Sequence, residues 1–166
     1  AFWDAILAEV GDCVDVVLEA EDLGAQNNLL ITLDMYRRMV KPRHKKLFDF
    51  IHSRTDAKIF LHSCGAIRPV IPDLIDIGLD CFNPFQPEVM DPYEMKRLYG
   101  DRLSFWGGIS TQRLLPYGTP DDVRREVRRM IADVGRNGGY ILAPAHGIPG
   151  DAKPENILAL VETAND

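Results

Sequence analysis

The sequence predicts an α/β fold built on parallel strands, and three observations support this. A short apolar run, a polar loop and an amphipathic helix recur in that order five times along the 166 residues. The apolar runs are rich in β-branched residues, as strands buried on both faces of a sheet are. Helices separate the runs, which is typical of right-handed crossovers between parallel strands. An open doubly wound sheet and part of a (β/α)8 barrel both fit, since a whole barrel needs about 250 residues.

The five predicted strands cover residues 14–20, 57–63, 79–83, 102–107 and 139–146. We expect the helix after the first strand to break at Pro42, because proline has no N–H to donate. Gly78 suits the position just after a helix. Asp91 and Thr119 are N-cap residues, each followed by a proline at the first helical position. Pro154 begins the last predicted helix.

The composition is that of a soluble globular domain, with 46% hydrophobic and 27% charged residues. Nineteen Lys and Arg against 25 Asp and Glu give a net charge of −6, which argues against a nucleic-acid partner. No apolar run approaches the ~20 residues that span a bilayer, so no membrane association is expected. Three widely spaced cysteines are an odd number, and this favours a reducing, cytoplasmic location without disulfides.

The first residues suggest a fragment. The chain begins with Ala1 rather than methionine, and residues 1–12 have the pattern of a helix already under way. We expect residues 1–166 to be the C-terminal portion of a single barrel domain. A partial barrel leaves edge strands with unpaired backbone groups. It should therefore pair with its missing half or self-associate.

Function in either architecture collects where the strands end. The polar side chains predicted at these ends are Glu19, Asp22, His62, Cys64, Asn83, Gln86, Trp106, Gln112 and His146. His44 and His52 fall within predicted helices and are expected to be solvated. Gly107 and Gly108 are expected to form a tight turn after the fourth strand, with close approach to a phosphate as the alternative.

His62 and Cys64 carry the sharpest local signal. In an extended segment residues i and i+2 point the same way, so both side chains can reach one metal ion. Imidazole nitrogen and thiolate sulfur are standard zinc donors. His146, at the end of the last strand, is the candidate third ligand, and Glu19 or Asp22 a fourth. The alternative is that Cys64 is simply a small buried side chain.

Four segments together resemble the uroporphyrinogen decarboxylase superfamily. They are HSCG (62–65), DCFNPFQP (80–87), WGGISTQRLLPYGTPDDVRREV (106–127) and GGYILAPAHGIPGDAKPENI (138–157). The resemblance covers nearly the whole chain and implies a (β/α)8 barrel, of which these would be the last five βα units.

The superfamily implies two chemistries. One is zinc-dependent methyl transfer between a small donor or acceptor, such as a thiol, and a corrinoid cofactor or protein. The other is the metal-free decarboxylation of a tetrapyrrole. The HSCG segment and the Asn83-Pro84 loop resemble the methyltransferases, in which Asn83, Gln86, Trp106 and Gln112 would line the substrate pocket.

One residue departs from the methyltransferase pattern. His146 stands where those enzymes usually carry a third cysteine ligand, and Ala145-His146-Gly147 nearly matches the decarboxylases' Gly-His-Gly. The sequence therefore favours a methyltransferase in which Glu19, Asp22 and His146 are catalytic candidates. The decarboxylase is the first alternative. A non-catalytic, ligand-binding barrel is the second.

Overall fold

The computed structural model describes residues 2–166 as an α/β protein. Its strands are β1 (Val16–Ala20), β2 (Lys58–His62), β3 (Cys81–Asn83), β4 (Ser104–Ile109) and β5 (Tyr140–Pro144). Its α-helices are α1 (Phe2–Val10), α2 (Leu33–Met35), α3 (Lys41–His52), α4 (Ile71–Asp76), α5 (Pro92–Tyr99), α6 (Leu114–Tyr117), α7 (Pro120–Arg129) and α8 (Pro154–Asn165). The strands form one sheet in chain order, β1-β2-β3-β4-β5. The predicted class, α/β with five parallel strands, is confirmed.

The chain divides into two compact units between Phe82 and Asn83. In the first unit β1 and β2 are parallel, with Val17 opposite Ile59 and Glu19 opposite Leu61. The central residues of β2 are fully buried, as the apolar pattern predicted. None of the helices within residues 2–166 is long and apolar enough to cross a membrane.

The helix after β1 continues through Pro42, so the predicted break there is wrong. A π-helical segment, Tyr36–Val40, joins α2 to α3, and the Lys41 N–H donates to the Tyr36 carbonyl five residues back. A proline ring normally clashes with the carbonyl four residues earlier. The wider π turn directly before Pro42 accommodates that ring, and α3 then runs on to His52.

In the second unit β4 and β5 are parallel, with Phe105 opposite Tyr140. Phe85, from the loop after β3, stacks on Phe105 with ring centroids 4.3 Å apart. Helix α7 buries Val123 and Val127, which are four residues apart and share one face. These apolar contacts form the core of the unit.

Gly107 and Gly108 lie inside β4, so the predicted tight turn at this pair is wrong. Their φ angles are +125° and +90°. A Cβ atom on Gly107 would lie 2.0 Å from the Pro84 carbonyl oxygen. The Gly108 N–H donates to that same oxygen at 3.3 Å. Gly107 is required because the loop after β3 runs too close to β4 for a side chain, whereas a Cβ atom on Gly108 would meet the Met130 side chain at 2.4 Å.

Asn156 anchors the segment that follows β4. This side chain is completely buried in α8. Its Nδ2 donates to the carbonyls of Leu115 at 2.9 Å and Gly118 at 3.0 Å. Lys153 Nζ donates to the Gly118 carbonyl as well, at 3.1 Å. Main-chain atoms of residues 114–118 are thereby fixed to the last helix.

Thr119→Ala is expected to lower the free energy of unfolding by about 1 kcal/mol, the usual cost of losing an N-cap. Thr119 Oγ1 accepts the Asp122 N–H, and the Asp122 carboxylate accepts the Thr119 N–H. Hydrogen bonds from Thr119, and then one from Arg125, lower the pKa of Asp122 from 3.8 to about 2. The stabilisation that the Asp122 carboxylate contributes is therefore present above pH 3.8 and is lost as the pH falls through about 2.

Urea denaturation at neutral and acidic pH measures this difference. Thr119→Ser keeps the accepting oxygen and is the matched control, expected to unfold close to the wild type. Equal stability of the alanine and serine variants would contradict the role of the cap.

Candidate metal centre

His62 and Cys64 meet at the end of β2. The Cys64 Sγ and His62 Nε2 atoms are 3.3 Å apart. Ser63, between them, is buried and its Oγ accepts the Leu23 N–H at 3.0 Å. Because side chains alternate along an extended backbone, burying Ser63 leaves both donors on the other side.

The donor pair fits a zinc ion. Tetrahedral bonds of ~2.05 Å to nitrogen and ~2.3 Å to sulfur would separate the two ligand atoms by roughly 3.6 Å. The observed 3.3 Å requires only a small side-chain adjustment. Both residues are half-buried, so an ion could reach them.

Asp22 contacts the cysteine of this pair. Its Oδ1 accepts the Cys64 N–H at 2.9 Å. Burial raises the pKa of the Cys64 thiol, and the charge of Asp22 and its hydrogen bond raise it further. These influences favour the thiol over the thiolate. A bound metal ion reverses this preference, because the thiolate is the form that coordinates metals.

The other two carboxylates near the end of β1 have partners of their own. The Glu19 carboxylate accepts a hydrogen bond from the Trp3 indole N–H of α1. Glu21 Oε2 lies 2.5 Å from His44 Nε2. Among the three, Asp22 is the one for which the structure gives a direct contact with Cys64.

His44 is buried, so the prediction that it is solvated is wrong. Only 8% of its surface is exposed. Its ring stacks on Phe48 with centroids 5.8 Å apart, and its Nδ1 lies 3.5 Å from the Tyr36 hydroxyl. Burial, followed by the charges of Asp73 and Glu21, raises the pKa of Tyr36. The spacing of His44 and Phe48, four residues apart, was the signal that could have placed His44 on the buried face.

The predicted site residues of the second unit differ in their burial and in their hydrogen bonds. Asn83 Nδ2 donates to the Trp106 carbonyl at 2.9 Å, which ties the end of β3 to β4. Gln86 is buried in the loop after β3. Gln112 and His146 are exposed, and His146 lies two residues beyond the end of β5.

The parallel sheet and the His62–Cys64 pair define the class: an α/β protein with two candidate metal ligands at the end of one strand. The chain belongs to the uroporphyrinogen decarboxylase (URO-D) family, whose model matches residues 7–166. The predicted family membership is confirmed.

Relatives of two kinds match the chain. A methylcobamide:CoM methyltransferase of Methanosarcina barkeri is 29% identical over 92% of this chain and 42% of its own. A uroporphyrinogen decarboxylase of Methylococcus capsulatus is 33% identical over 100% of this chain and 49% of its own. The solved structure of a methyltransferase from Methanosarcina mazei superposes with a TM-score of 0.71 and 25% identity, over 92% of this chain and 42% of that one.

The chain thus spans less than half the length of these relatives. All three are named as enzymes, either methyltransferases or a decarboxylase. The family and the fold are therefore established, and both chemistries occur among the proteins that resemble this chain.

Proposed function

We propose that this chain belongs to a zinc-dependent methyltransferase that moves a methyl group between a small substrate or thiol and a corrinoid. The observation that carries the proposal is the 3.3 Å approach of His62 Nε2 and Cys64 Sγ. The methyltransferase relatives support it. Burial alone would explain Cys64, but it would not explain an imidazole nitrogen beside the sulfur.

His146 is the proposed third ligand, with His62 and Cys64. It offers an imidazole nitrogen directly after β5, as His62 does at the end of β2. The carboxyl ends of parallel strands lie on one side of a sheet, which supports a shared site. Three protein ligands with a fourth position open for substrate are typical of catalytic zinc.

Zinc, when bound, supplies a Lewis acid and lowers the pKa of a thiol substrate. The chain's own residues position the proposed ligands and the backbone beside them. Asp22 fixes the backbone of Cys64 through its N–H, and this positions the sulfur. Asn83 fixes the Trp106 backbone. We assign Asn83, Trp106, Gln86 and Gln112 to the substrate pocket as part of the proposal.

A metal-free uroporphyrinogen decarboxylase is the second candidate. The Ala145-His146-Gly147 turn favours it, and so does the identity to the Methylococcus enzyme. In that case His146 contacts a tetrapyrrole instead of a metal ion. His62 and Cys64 then have no assigned role, which is why we place this candidate second.

The wider proposal includes location and partners. We propose a cytoplasmic protein, which the free state of Cys13, Cys64 and Cys81 supports. Edge strands β1 and β5 expose apolar side chains, Leu18 at 57% and Ile141 at 47%. This supports the proposal that further βα units, or a second copy, cover these edges. A corrinoid protein is the proposed methyl-carrying partner.

Metal analysis of the purified protein that contains this chain tests the proposal. We expect about one zinc per chain. We also expect methyl transfer from methylcobalamin to 2-mercaptoethanesulfonate that a chelator abolishes and added zinc restores. Protein without zinc that instead decarboxylates uroporphyrinogen would establish the second candidate.

A further inference from the structure

The second unit contains a cavity that the proposed function does not use. It has a volume of about 510 Å³ and lies beside the end of β4, α6 and the start of α7. This is the size of a small-molecule site. The charged side chains of its lining are Glu88, Arg113, Asp122, Arg125 and Glu126.

Three of these five charges are already engaged. The Asp122 and Arg125 side chains form an ion pair. Glu126 Oε1 accepts the Tyr93 hydroxyl at 2.9 Å. These groups therefore have little to offer a ligand.

Glu88 and Arg113 are the other two charged side chains of the lining. Glu88 Oε1 accepts the Ser110 hydroxyl, but its Oε2 is buried and has no hydrogen-bond partner within residues 2–166. Burying a carboxylate oxygen without a hydrogen-bond partner is unfavourable. Over the same residues the Arg113 guanidinium makes no hydrogen bond or ion pair, although it is exposed at the cavity.

Ser110 cannot supply the missing partner. Its hydroxyl donates its single proton to Glu88 Oε1, and its oxygen accepts the N–H groups of Arg113 and Leu114 at 3.0 Å each. This arrangement also holds Glu88 and the Arg113 backbone to the same residue. Among residues 2–166 the cavity lining therefore contains a carboxylate oxygen of Glu88 and an Arg113 guanidinium without partners, and Ser110 contacts both residues.

We propose that this cavity binds a small zwitterion. A protonated amine of the ligand donates to Glu88, and an anionic group, carboxylate or sulfonate, binds the Arg113 guanidinium. Charge-assisted hydrogen bonds of this kind are the strong ones. An anion alone would leave Glu88 unpaired, and an amine alone would leave Arg113 unpaired. The proposal is independent of the metal centre and of the reaction assigned to it.

Calorimetric titration of the purified protein with β-alanine and with taurine tests the proposal. Propionate and ethylamine carry one charge each and are the matched probes. We expect saturable binding of a zwitterion, and binding at least about tenfold weaker for each single-charge probe, since each probe lacks one of the two charge-assisted hydrogen bonds.

Arg113→Gln and Glu88→Gln are each expected to weaken zwitterion binding by at least about tenfold. Arg136→Gln removes an exposed arginine outside the cavity and is expected to change nothing. Circular dichroism of each variant confirms that it is folded. Arg113→Gln removes no side-chain hydrogen bond or ion pair within residues 2–166, so it tests the site even if Glu88→Gln fails to fold. Absence of saturable binding, equal binding of propionate, or unchanged binding by Arg113→Gln would overturn the proposal.

Discussion

A Gly107→Ala protein is expected to be destabilised by about 3 kcal/mol or more, or to fail to fold. Two features of β4 cause this. The φ angle of Gly107 is +125°, which side-chain-bearing residues rarely adopt. The new Cβ would lie 2.0 Å from the Pro84 carbonyl oxygen, a main-chain atom that cannot swing away. Urea denaturation followed by circular dichroism measures the loss.

Gly150→Ala is the matched control. A Cβ there would meet nothing within 4 Å, and the residue does not have a positive φ. We expect its stability to stay within about 0.5 kcal/mol of the wild type. A Gly107→Ala protein as stable as Gly150→Ala would show that the loop after β3 can move away from β4, against the packing described here.

Cys64→Ala and His146→Ala are each expected to remove most of the bound zinc from the protein that contains this chain. They should also lower methyl transfer by more than about 100-fold, because even residues that only support metal ligands cost 10–100-fold. Each change removes one of three proposed donors, and two donors hold zinc weakly. Zinc content after dialysis and initial rates with methylcobalamin measure the two effects.

Cys13→Ala and His52→Ala are the matched controls. Cys13 is exposed, and His52 bonds to Asp80 on the surface. Both variants should keep zinc and activity. If His146→Ala keeps its zinc but loses activity, His146 contacts the substrate, and the decarboxylase becomes the better candidate.

The fold was predictable from the sequence wherever local chemistry decides structure. Five apolar runs became five strands, and Asp91 and Thr119 cap helices as predicted. The errors occurred where the deciding contact is distant in sequence or is a backbone adjustment. Residue 107 must be glycine because the Pro84 carbonyl oxygen, 23 residues earlier in the chain, leaves no room for a Cβ atom. The helix continues through Pro42 by way of a π turn, which no pattern in the sequence predicts.

The candidate site divides in the same way. His62 and Cys64 are two residues apart, so the period of an extended backbone was enough to predict that they meet. The four-residue spacing of His44 and Phe48 could have placed His44 on the buried face, but helix periodicity contains no information about its contact with Glu21, 23 residues away in the chain. Whether His146 joins the pair depends on long-range packing, and it stays a prediction that the variants above test.

The bonds made by Asn156 have an evolutionary consequence. Its amide nitrogen donates hydrogen bonds to the carbonyl oxygens of Leu115 and Gly118. Every residue type has a main-chain carbonyl oxygen. The anchor therefore places little constraint on the side chains of Leu114 and Tyr117, whereas Leu115 and Pro116 are buried. Leu114 and Tyr117, which line the cavity next to this segment, can diverge between descendants while the backbone that carries them keeps its course. Substitutions of these side chains can thus change which ligands the cavity binds without changing the backbone that lines it.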